Sequence, residues 1–132
     1  MTHVSMTFHN YRCVYLHYLF NFKKDVLSKN TSLEKLEISG NRLGDKGGKV
    51  IAEVLTVNKT LIDLDISGNL LTNETGHLLA KTLETNNRKL EKLNLLNNLF
   101  TEATFLTKLS KYVKDLKSNV GKTVICDGIQ EF

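Results

Sequence analysis

The sequence LEKLEISGN at residues 33–41 returns as LIDLDISGN at residues 61–69 and as LEKLNLLNN at residues 90–98. The three copies begin 28 and then 29 residues apart. Each copy has an apolar residue at its first, fourth and sixth positions and an asparagine at its ninth. A period of this length predicts a row of stacked structural units that bury one continuous core.

Within each copy, apolar and polar residues alternate. In the first copy Leu36 and Ile38 flank Glu37, and the other two copies keep this alternation. A period of two places one set of side chains in the core and the other set in solvent. The sequence therefore predicts a parallel sheet that is covered on one side only.

An asparagine ends each copy, at the point where the predicted strand must turn. Its side-chain amide can both donate to and accept from backbone groups that such a turn leaves unpaired. Stacking of the units should bring these residues into a ladder of Asn41, Asn69 and Asn98. The apolar residue two positions further on should point back into the core: Leu43, Leu71 and Phe100. We interpret the asparagines as structural rather than catalytic.

The second half of each unit changes to the period of a helix. One set of residues recurs 28 positions later: Gly48, Ile51, Ala52, Leu55 and Asn58, followed by Gly76, Leu79, Ala80, Leu83 and Asn86. Spacings of three and four place such residues on one helix face. In the third unit, in a register displaced by one or two residues, the helix is predicted to carry Phe105 or Leu106, Leu109, Val113 and Leu116.

The phrases at residues 33–45 and 58–69 resemble the leucine-rich repeats of the ribonuclease-inhibitor-like subfamily. The resemblance covers about residues 23–117 and implies an α/β fold. That fold is a short right-handed horseshoe solenoid with parallel strands on its concave face and α-helices on its convex face. Families with this repeat include Ran GTPase-activating proteins, tropomodulin-like actin regulators and the sensing regions of NOD-like receptors. All of these act by contact with another protein.

The two ends of the chain depart from the repeat. Residues 26–30 match the end of a repeat helix, so residues 15–30 are predicted to form an earlier outer helix, with no recognisable strand before it. Residues 1–14 are then either an atypical cap or the start of a truncated unit. A degenerate strand within residues 120–128 is expected to close the sheet at its edge. The predicted division is an N-terminal part at 1–32, three repeats at 33–60, 61–89 and 90–117, and a closing strand and tail at 118–132.

The composition fits one globular unit, because 132 residues with 41% hydrophobic content are too few for two ordinary domains. The formal charge of +4 is spread along the chain and favours acidic partners only weakly. Cys13 and Cys126 lie far apart and at no metal-ligand spacing, which favours a reducing, cytoplasmic location. We recognise neither a signal peptide nor the roughly 20 apolar residues of a membrane-spanning helix.

Three motifs suggest chemistry, and each has a simpler interpretation. Gly121-Lys122-Thr123 matches the end of a phosphate-binding loop, but Leu116 stands where that loop begins with glycine. Asp63 and Asp65 share one strand face, but a paired-carboxylate hydrolase needs one of its carboxyls buried and these should be solvated. The histidines lie at no metal-binding spacing: His3, His9, His17 and His77. We predict no catalytic residue, no cofactor and no metal site.

Lysines occur at every third position near the end of the third unit, where they are predicted to lie on one face of the last outer helix: Lys108, Lys111, Lys114 and Lys117. A solvated convex face is the simpler interpretation. The alternative is a contact with nucleic acid or anionic lipid, which the lack of interleaved aromatic residues disfavours. Cys126 is interpreted as a structural or idle thiol, since no motif places a histidine to activate it.

The predicted function is protein binding through the concave face. We define this face by the outward residues of the three strands: Lys35, Glu37, Ser39, Asp63, Asp65, Ser67, Lys92, Asn94 and Leu96. Side chains on a rigid scaffold can meet a folded partner at low ordering cost. The acidic centre of the face favours a partner with a basic patch.

Two alternative functions stay open. A GTPase-activating role is implied by the resemblance to Ran GTPase-activating proteins, and Arg42 and Arg88 on loops are its candidate residues. The missing first strand suggests instead a fragment of a larger sensor or scaffold, with little function of its own.

Overall fold

A computed structural model describes residues 27–87 and 89–119 with their side chains, and residues 2–5, 124–126 and 129–131 as backbone strands. The strands are β1 (Thr2–Ser5), β2 (Leu33–Glu37), β3 (Asp63–Asp65), β4 (Lys92–Asn94), β5 (Asp115–Lys117), β6 (Val124–Cys126) and β7 (Ile129–Glu131). The helices are α1 (Gly44–Val57), α2 (Asn73–Thr85) and α3 (Thr104–Leu109), and residues 27–29 are also helical.

The described strands form one sheet in sequential order from β1 to β7. Neighbours from β1 to β5 are parallel, whereas β6 is antiparallel to both β5 and β7. The helices α1, α2 and α3 connect parallel strands and pack side by side. This arrangement confirms the predicted α/β solenoid.

The core lies between the strands and the helices. The apolar strand residues of all three copies are buried, as are the predicted faces of α1 and α2. Leu43 and Leu71 are buried and Phe100 packs against the core, which confirms their predicted direction. One equivalence was wrong: Asn86 is exposed, and the buried counterpart of Asn58 is Asn87.

Two glycines allow the helices to approach closely. A Cβ atom on Gly48 would lie 2.1 Å from the Thr75 hydroxyl oxygen, and one on Gly76 would lie 2.7 Å from the Phe105 ring. Any larger side chain at either position would force the neighbouring helix outward. The recurring glycine of the helix pattern is therefore a packing requirement.

The third unit is shorter than predicted. The helix α3 ends at Leu109, and Leu116 lies on β5, paired with Leu93 only 23 residues earlier. The prediction of one helix through Val113 and Leu116 was therefore wrong. Both residues are nevertheless buried. Apolar residues in a turn and in the strand after it have the same three- and four-residue spacing as one face of a helix.

The shorter helix α3 also changes the positions of the four lysines that occur at every third residue. Lys108 lies on α3, whereas Lys111 and Lys114 lie in the turn that follows and Lys117 lies on β5. The prediction that these four lysines share one face of a helix was therefore wrong.

The degenerate strand predicted to close the sheet corresponds to β6 within the described residues. It lies between β5 and β7, so β7 is the edge strand.

The first strand was missed by the sequence reasoning. β1 pairs in parallel with β2, and Val4 of β1 lies opposite Leu36 of β2. Of the predicted helix at residues 15–30, residues 27–30 lie in the described part of the chain, and 27–29 are helical. The division of the chain into units at the predicted boundaries stays a prediction.

Side-chain amides join consecutive turns at the C-terminal ends of the strands. The Oδ1 atom of Asn69 accepts from the Asn41 backbone N–H at 2.9 Å, and Oδ1 of Asn98 accepts from that of Asn69 at 2.9 Å. The Nδ2 atoms of Asn41 and Asn69 both donate to the Ile38 carbonyl at 2.8 Å. The amides of Asn69 and Asn98 thus satisfy backbone groups of their own turns and of the preceding ones.

A second set of asparagines works at the opposite ends of the strands. The Oδ1 atom of Asn58 accepts from the backbone N–H groups of Thr60 and Leu61, both at 3.0 Å, where the chain enters β3. Its Nδ2 atom donates to the Leu27 carbonyl at 2.9 Å, in the preceding unit. Asn87 repeats both functions one unit later. Sequence reasoning missed this ladder because it placed Asn58 in the helix pattern and took Asn86, not Asn87, as its counterpart.

Replacing Asn69 with alanine tests the first ladder. The Asn41 N–H would lose its acceptor and the Ile38 carbonyl one donor, in a buried setting. Unsatisfied buried groups cost roughly 1–3 kcal/mol each, so we expect Asn69→Ala to lower the free energy of unfolding by about 2–4 kcal/mol. Urea unfolding followed by circular dichroism measures this loss.

Asn86 provides the matched control, because it is the same residue type in an exposed position. We expect Asn86→Ala to change the free energy of unfolding by no more than about 0.5 kcal/mol. An equal effect of the two substitutions would contradict the structural importance of the ladder.

Candidate concave binding face

The strand register collects the predicted concave residues into two rows. Lys35, Asp63 and Lys92 are paired across β2, β3 and β4 in one row, and β5 adds Asp115 to it. The second row contains Glu37, Asp65, Asn94 and Lys117. All eight side chains line an open groove with a volume of about 200 Å³. Asp115 and Lys117 were missed because their segment was predicted to be helical.

The remaining three residues of the predicted face lie just beyond the strand ends. Ser39 is exposed, and Ser67 and Leu96 are half-buried. These residues are not part of the groove lining. The structure therefore brings together six of the nine residues and separates the other three.

Charge is distributed unevenly along the groove. The β2–β3 half has one lysine against three carboxylates, Glu37, Asp63 and Asp65. The Nζ atom of Lys35 lies 3.3 Å from Glu37 Oε1 and 3.9 Å from Asp63 Oδ2. Pairs at this degree of exposure contribute only about 0–1 kcal/mol to stability. This half keeps a net negative charge for interaction with other molecules.

The other half of the groove has the opposite balance. Lys92 and Lys117 face a single carboxylate, Asp115. The Oδ1 atom of Asp115 is buried and has no hydrogen-bond partner among the described residues. A buried carboxylate oxygen without a donor is unusual in folded proteins.

Local turns hold two of the groove side chains in place. Asp65 Oδ1 accepts from the Ser67 backbone N–H at 3.0 Å and from the Ser67 hydroxyl at 2.7 Å. Asn94 Oδ1 accepts from the Leu96 N–H at 3.0 Å. Because these side chains are already ordered, a partner would lose little of their conformational entropy on binding.

A third carboxylate, Asp45, joins two units outside the groove. Its Oδ1 atom accepts from the Thr72 N–H at 3.0 Å and the Thr75 hydroxyl at 2.6 Å, and Oδ2 accepts from the Thr72 hydroxyl at 2.5 Å. Burial raises the pKa of Asp45, but the hydrogen bonds from Thr72 and Thr75 outweigh it and the pKa is lowered. One unit later, Asn73 Oδ1 accepts from the Thr101 N–H at 3.0 Å, and Asn73 Nδ2 donates to the Thr101 hydroxyl oxygen at 2.7 Å.

The lowered pKa of Asp45 predicts a pH-dependent contribution to stability. A carboxyl with a depressed folded-state pKa stabilises the fold above its unfolded pKa of about 3.8, and this contribution is lost as pH falls through the folded value. We expect Asp45→Asn to lower the free energy of unfolding by about 1–2 kcal/mol at pH 7. The difference from wild type should shrink below pH 3.8. Urea unfolding across a pH series measures it, and a difference independent of pH would contradict the assignment.

The other candidate residues lie apart from the groove. His77 Nε2 is 2.8 Å from Glu102 Oε2, and its ring packs edge-on against Phe105. Among the residues that the structure describes, no group of three or more His, Cys, Asp or Glu could hold a metal ion. The segment Gly121-Lys122-Thr123, the side chain of Cys126 and Arg88 lie outside the described residues. Arg42 is exposed on the loop after β2, and the GTPase-activating alternative stays a prediction.

The repeated strand–helix units and the asparagine ladder define the fold of this chain, which is that of a leucine-rich-repeat solenoid. The family described as "Leucine Rich repeat" matches residues 29–52. That match spans β2 and the first part of α1. No helix within the described residues combines the length and apolar character needed to cross a membrane.

Two solved structures share the fold. The structure named "Leiomodin-1 Actin-Binding Site 2 (ABS2)" gives a TM-score of 0.75 at 19% identity, covering 92% of this chain and 72% of that one. The tropomodulin C-terminal domain from Caenorhabditis elegans gives 0.70 at 11% identity, covering 92% and 75%. No curated protein sequence matches this chain. The resemblance to tropomodulin-type repeats is thus confirmed at the level of the fold.

Proposed function

We propose that this chain is a protein-binding module whose concave face receives a folded partner, so that it acts as a cytoplasmic scaffold or regulatory domain and not as an enzyme. The observation that supports this most strongly is the groove formed by eight polar and charged side chains on four parallel strands. Each strand is held by hydrogen bonds at both ends. A surface of this rigidity can bind with little loss of entropy.

The charge distribution gives this face its selectivity. A partner with a basic patch would lie over Glu37, Asp63 and Asp65, and an acidic group of the same partner would lie near Lys92 and Lys117. Complementary charges of this kind govern association rate and partner choice more than affinity. Binding should therefore weaken as ionic strength rises.

Reversing charge in the acidic half tests the proposal. We expect the Asp63→Lys, Asp65→Lys variant to lose partners that wild type retains in a pull-down from matched cell lysate, because four units of charge change at the centre of the face. Circular dichroism checks that the variant is folded. Glu74→Lys, Glu84→Lys makes the same charge change on exposed positions of α2 and should retain the partners. Identical capture by all three proteins would contradict binding through the concave face.

Actin is the partner to test first. The leiomodin-1 structure that shares this fold is named as an actin-binding site. In co-sedimentation with actin filaments, wild type and the Glu74→Lys, Glu84→Lys variant should pellet with the filaments. The Asp63→Lys, Asp65→Lys variant should stay in the supernatant. If wild type also stays there at the highest actin concentration, filamentous actin is not the partner, and the lysate experiment still decides the binding face.

A further inference from the structure

Two leucines project into solvent from consecutive turns that follow strands of the groove. Leu70 is 45% exposed and Leu99 is 54% exposed. They occupy equivalent positions, each directly after a ladder asparagine, in the loops that follow β3 and β4. The Leu99 N–H donates to the Leu71 carbonyl at 2.8 Å, so the two loops are in contact. We call Leu70 and Leu99 the leucine rim.

The backbone at Leu70 is in the left-handed region, with φ of 60°. The ladder imposes this conformation, because the N–H groups of Asn69 and Leu71 both donate to Asn98 Oδ1, at 2.9 and 3.0 Å. The backbone therefore wraps around one amide and turns the intervening side chain outward. Glycine or asparagine fits this conformation with less strain than leucine. Leucine gains little from burial here, so folding does not explain its presence.

Strained backbone and exposed apolar side chains both occur preferentially at functional sites. Leu70 combines them in the loop that follows β3, one of the strands that form the groove. Leu70 follows Asp65 within one turn, and Asp65 belongs to the acidic half. An occupant of this region thus meets an apolar edge beside a negatively charged surface.

We propose that the leucine rim docks the apolar side of a basic amphipathic helix of the partner protein, while lysine or arginine side chains of that helix lie over Glu37 and Asp65. This proposal rests on the proposed function and names the class of partner for the same face. Neighbouring strands are about 4.8 Å apart. Residues three or four apart on a helix are separated along its axis by about 4.5–6 Å. A helix that crosses the strands can therefore present one residue to each unit.

A defined probe tests this proposal. It is a synthetic helical peptide of about 20 residues, long enough to be helical in water, with leucines along one side and lysines beside them. One control peptide has the lysines replaced by glutamates, and a second has the leucines replaced by serines. Fluorescence anisotropy measures the dissociation constant of each. We expect the lysine–leucine peptide to bind at least about tenfold more tightly than either control.

Substitution of the rim separates binding from folding. Leu70→Asn, Leu99→Asn should weaken binding of the lysine–leucine peptide about tenfold or more, as expected for the loss of two apolar contacts. Leu70→Asn alone should leave the melting temperature unchanged or raise it by a few degrees, since asparagine tolerates positive φ. Val57 is 55% exposed at the end of α1, away from the rim, and Val57→Asn should leave binding unchanged.

The outcomes distinguish this proposal from the proposed function. Loss of peptide binding in Asp63→Lys, Asp65→Lys but not in Leu70→Asn, Leu99→Asn overturns the proposed role of the leucine rim. It leaves the proposal of binding through the concave face intact. No measurable binding of the lysine–leucine peptide, or equal binding by every variant, overturns the docking proposal, and the pull-down then decides the concave face. Wild-type dimerisation that is lost in the rim variant would assign the rim to a second copy and also overturn it.

Discussion

The side-chain amide that joins one turn to the next is the interaction on which the structure depends. A strand of three residues has few backbone hydrogen bonds of its own, and a sharp turn leaves more backbone groups unpaired. Asn69 compensates by accepting from the Asn41 N–H and donating to the Ile38 carbonyl. Asn58 and Asn87 do the same where the chain enters the strands. Each unit is therefore ordered only when its neighbour is present, as in other repeat proteins.

The fold could be predicted where the sequence repeats a pattern and could not where it departs from one. Leu64 and Ile66 alternate with polar residues, and this alternation correctly predicted the strand. The helical spacing of Leu109, Val113 and Leu116 was misleading, because a turn and a strand can place apolar residues at the same intervals. Asp115 and Lys117 were consequently missed from the groove. The charge and the outward direction of the strand side chains could be predicted from the sequence. The hydrogen bonds that orient Asp65 could not, because they depend on the conformation of the turn.

Rigidity and charge separation together give the concave face its character. Asp65 and Asn94 are already fixed by their own turns, so the groove is shaped before a partner arrives. Its acidic and basic halves lie on different strands, which defines an orientation for a charged partner. The exposed Leu70 follows Asp65 of the acidic half along the chain, and the ladder determines its backbone conformation. The amide of Asn98 that joins two turns thus also determines the outward direction of Leu70.

The short third unit separates two properties that repeat proteins usually couple. Between β4 and β5 the chain is several residues shorter than in the preceding unit, yet Lys92 and Asp115 remain paired in the same register. The helical side of this unit is the shorter part, and the spacing of the strand residues is unchanged. Insertions and deletions on that side are therefore compatible with an unchanged recognition surface. The helical backs of neighbouring units can therefore differ in length while the strand side chains on the front keep a constant spacing.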